Sequence, residues 1–142
     1  FVKPALEALG GELDFWKVRI KPGKPFVYGR LRGKPLFGVP GNPVSAMVTF
    51  LVLVRPGILK LTGATGLELP AHPGVLAVPL VNRGDRRHFM RVRVDVTGQV
   101  HAAGLQASHA VGPLGQANAL VDVPPETTLA EGAEVTVLRF VG

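Results

Sequence analysis

Lys17, Arg19 and Lys21 alternate with apolar residues along 15–21, and Lys24 follows across a Pro-Gly turn. A period of two places Trp16, Val18 and Ile20 on one strand face and Phe15, Lys17, Arg19 and Lys21 on the other. Cations crowded on one face repel unless solvent or an anion screens them. Two readings follow: a face that holds an oxyanion, or a solvated strand edge guarded by charge. As compact point charges, Lys17 and Lys21 suit phosphate or another oxyanion.

A second constellation lies at 38–45, Gly38-Val39-Pro40-Gly41-Asn42-Pro43-Val44-Ser45. Gly38 and Gly41 permit positive φ and close approach of backbone to a ligand, while Pro40 and Pro43 stiffen the loop. Asn42 is a good helix N-cap and Pro43 fits the first helical position, so a helix starts here. Its first N–H groups and the positive end of its dipole point back toward the loop, a setting favourable to an anion. Ser45, three positions after the cap, either turns its hydroxyl and N–H to that anion or fills the helix interior. The bland alternative for the whole stretch is an ordinary helix start.

Charge reinforces the anion reading. The 142-residue chain carries a net charge of +6, all of it in the first half: residues 1–70 hold ten Lys/Arg against four acidic residues, and 71–142 hold six against six. No acidic residue lies between Asp14 and Glu68. Such a segment draws phosphates, oxyanions or nucleic acid. Aromatic residues are sparse among the cations, which disfavours a nucleic-acid-binding module, although that class remains the alternative of a different kind. With 46% hydrophobic and 18% charged residues the chain is globular rather than disordered. It lacks cysteine, so no disulfide framework or thiolate metal site exists, and a cytoplasmic setting fits. No secretion signal is visible, and a start at Phe1 rather than Met leads us to expect a fragment.

The elements that must position these residues follow from pattern. A short helix over 2–9 is stopped by Gly10-Gly11. Strands are expected at 15–21, 26–31 and 36–37, the last two joined by a turn at Gly33. The helix from Pro43 should run to Leu53 or Val54, with Pro56-Gly57 breaking or kinking it before a last turn at 58–61. Its apolar run of about eleven residues is short of the roughly twenty that a membrane span needs, so a buried helix and no membrane partner are expected. Gly66, Pro70, Pro73 and Gly74 coincide with the charge shift and set a domain boundary near residue 70. Beyond it, β-branched runs at 75–80, 88–96, 99–103, 119–123 and 134–140 predict a small all-β barrel or sandwich, with a hairpin turn at 95–98. In 91–95 charge alternates with Val92 and Val94, which gives one buried and one polar face.

His72, His88, His101 and His109 lack metal-ligand spacing. The acid-free segment leaves no self-contained Mg²⁺ site in the first half. Arg91 and the small-residue loop 106–109, which contains Ser108, form either an anion-contacting patch or a salt-bridged arginine beside a capping serine.

Taken together, Phe15-Trp16-Lys17, Lys21 to Pro25, Gly38 to Ser45, Arg86 to Arg91 and Gln106 to His109 resemble the C-terminal part of the molybdopterin molybdenumtransferases, the MoeA and gephyrin family. The five motifs fall in the right order over nearly the whole chain. The resemblance implies that residues 1–70 are the latter part of a three-layer α/β/α molybdopterin-binding domain and 71–142 the small C-terminal β-domain. It implies an enzyme that inserts molybdenum from molybdate into adenylylated molybdopterin, molybdopterin-AMP, releasing AMP with Mg²⁺ or another divalent ion. It implies a homodimer in which this β-domain helps close the partner's cleft. Carried over by position, Lys17 and Lys21 match functional lysines, Pro40 and Pro43 essential loop prolines, and Arg91 and Ser108 β-domain site residues; Lys24, Gly41, Asn42 and Ser45 complete the expected binding set. The gephyrin branch adds a scaffolding alternative. Val39 stands where the family usually has Leu, and Ala107 where Gly is common. The family's acidic Gly-Gly-x-Ser-x-Gly-Asp-x-Asp stretch should precede Phe1. The chain alone is therefore expected to be inactive, with metal ligands lying outside it.

Overall fold

The computed structural model describes residues 2–103 and 116–141. The expected site residue Ser108, with the rest of the loop 106–109, lies outside them.

Helix α1 (Val2–Ala8) and strands β1 (Glu12–Trp16), β3 (Val27–Leu31) and β4 (Lys34–Gly38) open the chain, with the strands ordered β1-β3-β4 in an antiparallel sheet. Alternation sorts this sheet into two faces. Gly29 and Gly38 lie beneath α1, where an added Cβ would come within 2.8 Å of Leu6 and 2.6 Å of Val2. Phe15, Tyr28 and Phe37 stack on the opposite face, with ring centroids 5.4 and 5.2 Å apart. There Phe37 meets Gly57 of a second helix, whose added Cβ would lie 2.9 Å from the ring. Helix, sheet and helix thus make the three layers implied by the resemblance.

That second helix is continuous over Pro43–Leu61, 19 residues: α2 (Pro43–Thr49), a π-helical turn (Phe50–Val54) and α3 (Arg55–Leu61). The sequence leads us to expect an end at Leu53 or Val54, with a break or kink at Pro56-Gly57 before a last turn at 58–61; the structure runs these together as one helix. Pro56 removes a donor and its ring would strike the carbonyl of residue 52, but a wider turn avoids that clash. Here the Arg55 N–H donates to the carbonyl of Phe50, one residue farther back than in an α-helix. The helix is long and apolar enough to cross a membrane by length and composition alone. It is also less buried than expected. Val44, Val48 and Thr49 are sealed, whereas Phe50, Ile58 and Leu61 are exposed.

After residue 70 come β5 (Ala71–Leu76), β6 (Leu80–Asn82), β7 (Arg87–Val94), β8 (Gln99–Ala102), β9 (Ala119–Val123), β10 (Thr127–Leu129) and β11 (Glu134–Arg139). The order β7-β8-β5-β11-β9, with β9 returning to β7, closes a small barrel, and β6 pairs with β10 beside it. Inward residues such as Met90, Val92, Val94, Val121, Val123 and Val137 fill it, each buried aliphatic side chain contributing roughly 1.5–3 kcal/mol. Asp95 builds the expected hairpin turn, accepting from the N–H groups of Thr97 and Gln99 at 2.9 and 3.1 Å.

Two strand expectations shift. The run at 75–80 splits, because β5 begins earlier and tolerates Pro73, which pairs with Thr136 on one side while β8 covers only Val75 and Leu76 on the other. The β6–β10 pair, three residues on each side, is too short for its alternation to stand out in the sequence. Phe89 and Leu120 point outward from the barrel and pack with Val48, so the long helix docks on the barrel wall.

Candidate anion site

The predicted strand at 15–21 does not exist as one element. Strand β1 stops at Trp16, Lys17 adopts φ 60, and the chain swings out of the first sheet. A non-glycine residue there carries about 1–2 kcal/mol of strain. The Lys17 N–H donates to the Phe26 carbonyl at 2.9 Å, and the Val18 N–H to that of Lys24 at 3.0 Å, which holds the bend. Lys17, Arg19 and Lys21 therefore do not share a strand face. The Lys17 ammonium sits 4.1 Å from the Trp16 ring centroid, with that of Lys3 at 4.7 Å from the same ring. Arg19 turns to Asp85, donating to its carbonyl at 3.0 Å.

Lys21 goes elsewhere. Ile20 and Lys21 form β2, which pairs in parallel with β7 of the barrel, Ile20 opposite Arg87 and Lys21 opposite His88. The Arg86 guanidinium donates to the Ile20 carbonyl at 3.1 Å. Gly23 anchors the same turn to α2: at φ 123, an added Cβ would fall 2.2 Å from the Thr49 methyl. The turn is thus pinned between barrel and helix.

This joint gathers charge. His88 is 4% exposed and Arg91 2% exposed. Burial first, then the charges of Lys21, Arg91 and Arg86, lowers the His88 pKa to about 4. Burial also lowers that of Arg91. The polar strand face expected at 91–95 is accordingly not open to solvent at Arg91, because the helix covers the barrel wall there. Arg86 and His88 lie within the Arg86–Arg91 motif but are not among the expected site residues; His88 stands three residues from Arg91, on the opposite strand face, and the β2–β7 bridge with the Arg86–Ile20 hydrogen bond relates them to Lys21.

The helix-start loop departs from expectation in one respect. Asn42 caps as predicted, but its Oδ1 accepts from the N–H groups of Val44 and Ser45 at 3.0 and 3.3 Å, so those amides are already used. What α2 offers an anion is its dipole rather than these donors. Pro40 and Ser45 are buried, and Ser45 accepts the Thr49 hydroxyl at its carbonyl at 2.7 Å. Neither Gly38 nor Gly41 takes a positive φ; Gly38 is required by Val2, and Gly41 faces open space. Lys21 and Lys24 are exposed.

Among the described residues no group of three His, Asp or Glu side chains could hold a metal ion. The joint itself is lined by cations, so the residues present do not fit Mg²⁺. A separate cleft of about 670 Å³, walled by Phe15, Phe26, Tyr28, Phe37 and the end of the long helix, contains none of the expected site residues.

Comparison with known proteins bears on both halves of the chain. Residues 1–60 match the model of a probable molybdopterin binding domain, and residues 73–140 that of the MoeA C-terminal region, domain IV. The chain belongs to the MoeA and gephyrin family. It is 37% identical to a molybdopterin molybdenumtransferase of Haemophilus influenzae, over 99% of this chain and 36% of that protein. It is 36% identical to the molybdenum cofactor synthesis protein cinnamon of Drosophila melanogaster, over 99% of this chain and 25% of that one. The crystal structure of a molybdopterin biosynthesis MoeA protein from Pyrococcus horikoshii superposes with a TM-score of 0.84 at 33% identity, covering 99% of this chain and 34% of that one. The chain thus spans about a third of the length of these two relatives, from Haemophilus influenzae and Pyrococcus horikoshii. Its barrel and three-layer unit are the MoeA domain IV and molybdopterin-binding folds.

Proposed function

We propose that this MoeA-family chain is the anion-binding and dimer-forming portion of an enzyme that transfers molybdenum from molybdate into adenylylated molybdopterin, releasing AMP. One observation supports the reading: the β2–β7 bridge sets Lys21 opposite His88, and the charges of Lys21, Arg91 and Arg86 all act on that imidazole, so two expected site residues from opposite halves of the sequence influence one group. A fixed cluster of partly desolvated cations stabilises an oxyanion without reorganising when it arrives. Lys21 and Lys24 at the surface take the outer oxygens, and Arg91 supplies charge from the barrel wall. The α2 dipole behind Pro40, Gly41, Asn42, Pro43 and Ser45 adds a favourable field of about 0.3–1 kcal/mol. Lys17, on its own bend, works from a different side, and Ser108 completes the set.

In this reading the molybdopterin-binding unit ends near residue 70, the protein acts as a homodimer in the cytoplasm without membrane or nucleic-acid partners, and any divalent ion is held by residues beyond this chain. Molybdate titration by calorimetry tests the site. Lys21→Ala should weaken binding at least about tenfold, or 1.4 kcal/mol. Unchanged affinity removes Lys21 from the site.

A further inference from the structure

A cleft of about 370 Å³ lies where the long helix, the 69–70 connection and the end of β11 meet. Leu51, Leu69 and Phe140 provide apolar walls, Arg55, His72 and Arg139 provide basic groups, and among the described residues no carboxylate lines it. The Nε of Arg139 is buried and meets no acceptor among the described residues. Arg55 directs one guanidinium N–H to the Leu67 carbonyl at 3.3 Å. Buried donors almost always find acceptors, and Arg55 and Arg139 both line this cleft, where like charges repel unless an anion screens them. None of these residues belongs to the Lys21 site.

We propose that this cleft binds a small carboxylate with an apolar tail, the carboxylate held by Arg139 and Arg55 and the tail packed on Leu51, Leu69 and Phe140. The planar guanidinium fork matches a carboxylate two-point, and the volume falls in the range of small-ligand sites. Apolar walls select against inorganic phosphate, whose remaining oxygens would lose hydration without gaining donors.

Nitrogen–proton NMR of the arginine Nε–H groups in the whole chain provides the test, with hexanoate as the probe and inorganic phosphate as the comparison. The Arg139 signal is identified by its loss in Arg139→Lys. Hexanoate should shift that signal saturably, and Arg139→Leu should weaken hexanoate at least about tenfold while leaving molybdate affinity unchanged. Arg139→Lys keeps charge and stem but not the fork, so it should also bind hexanoate more weakly, which guards against a Leu variant that fails to fold. A shift equally strong with phosphate, or hexanoate affinity unaltered in Arg139→Lys, overturns the proposal.

Discussion

Lys21 and His88 face each other across a two-residue parallel bridge, and that contact ties the basic turn of one half to the barrel of the other. The imidazole it meets is buried and kept neutral by its surroundings: desolvation leads, and the charges of Lys21, Arg91 and Arg86 act in the same direction.

Stability should therefore depend on pH through His88. Its pKa is lowered from 6.5 to about 4 in the folded protein, so between these values the unfolded chain binds more protons than the folded one, and stability rises with pH. The contribution is fully present above the unfolded pKa and is lost as pH falls from about 6.5 toward 4, on the order of 3 kcal/mol in all. Denaturant titrations from pH 7 to 4 should show that slope, and His88→Gln should flatten it. Because Lys21 is one of the charges opposing protonation, Lys21→Ala should move the His88 midpoint upward in a proton NMR titration. An unmoved midpoint would show that the two side chains do not interact.

Gly23 and Gly41 both sit in loops that the sequence marks as anion-holding, yet they should respond oppositely to alanine. At Gly23 the backbone has φ 123 and a new Cβ would overlap the Thr49 methyl at 2.2 Å. Strain and overpacking together should remove about 1–3 kcal/mol of stability and lift the Lys21 turn off α2, weakening molybdate binding as well. At Gly41 nothing lies within 4 Å, so Gly41→Ala should change stability by no more than about 0.5 kcal/mol. Thermal melts of the two variants side by side decide the matter.

Much of this architecture was legible from local pattern. The Asn42-Pro43 helix start, the β3–β4 hairpin around Gly33 and the alternating barrel strands each rest on a preference expressed within a few residues. Elsewhere the deciding contact is one that local alternation does not report. Residues 15–21 alternate as a strand should, but the Lys17 bend is held by Phe26 and Lys24, and Ile20 with Lys21 is claimed by a strand more than sixty residues later. Arg86 and Arg91 lie near His88 in sequence, but the burial that leads its pKa shift and the charge of Lys21 come from tertiary structure and carry no local signal. In the helix, Pro56 leaves break, kink and continuation open in the sequence; the π-turn at Phe50–Val54 decides for continuation to Leu61.

Lys17 offers the sharpest separation between backbone and ammonium roles. Its φ of 60 suits glycine, so Lys17→Gly relieves about 1–2 kcal/mol of strain. It also loses the contact with Trp16, worth about 0.5–1 kcal/mol, and adds a comparable entropic penalty. Net stability should stay within about 1 kcal/mol of the parent. Lys17→Val keeps the strained bend, loses the cation and adds a branched Cβ, so it should be less stable than the glycine variant by about 1–2 kcal/mol. If the ammonium is what the anion requires, both variants should lose molybdate affinity alike despite their different stabilities, as read by denaturation and calorimetry on the same samples. A glycine variant that binds molybdate as the parent does would assign Lys17 to shaping the turn and leave oxyanion contact to Lys21.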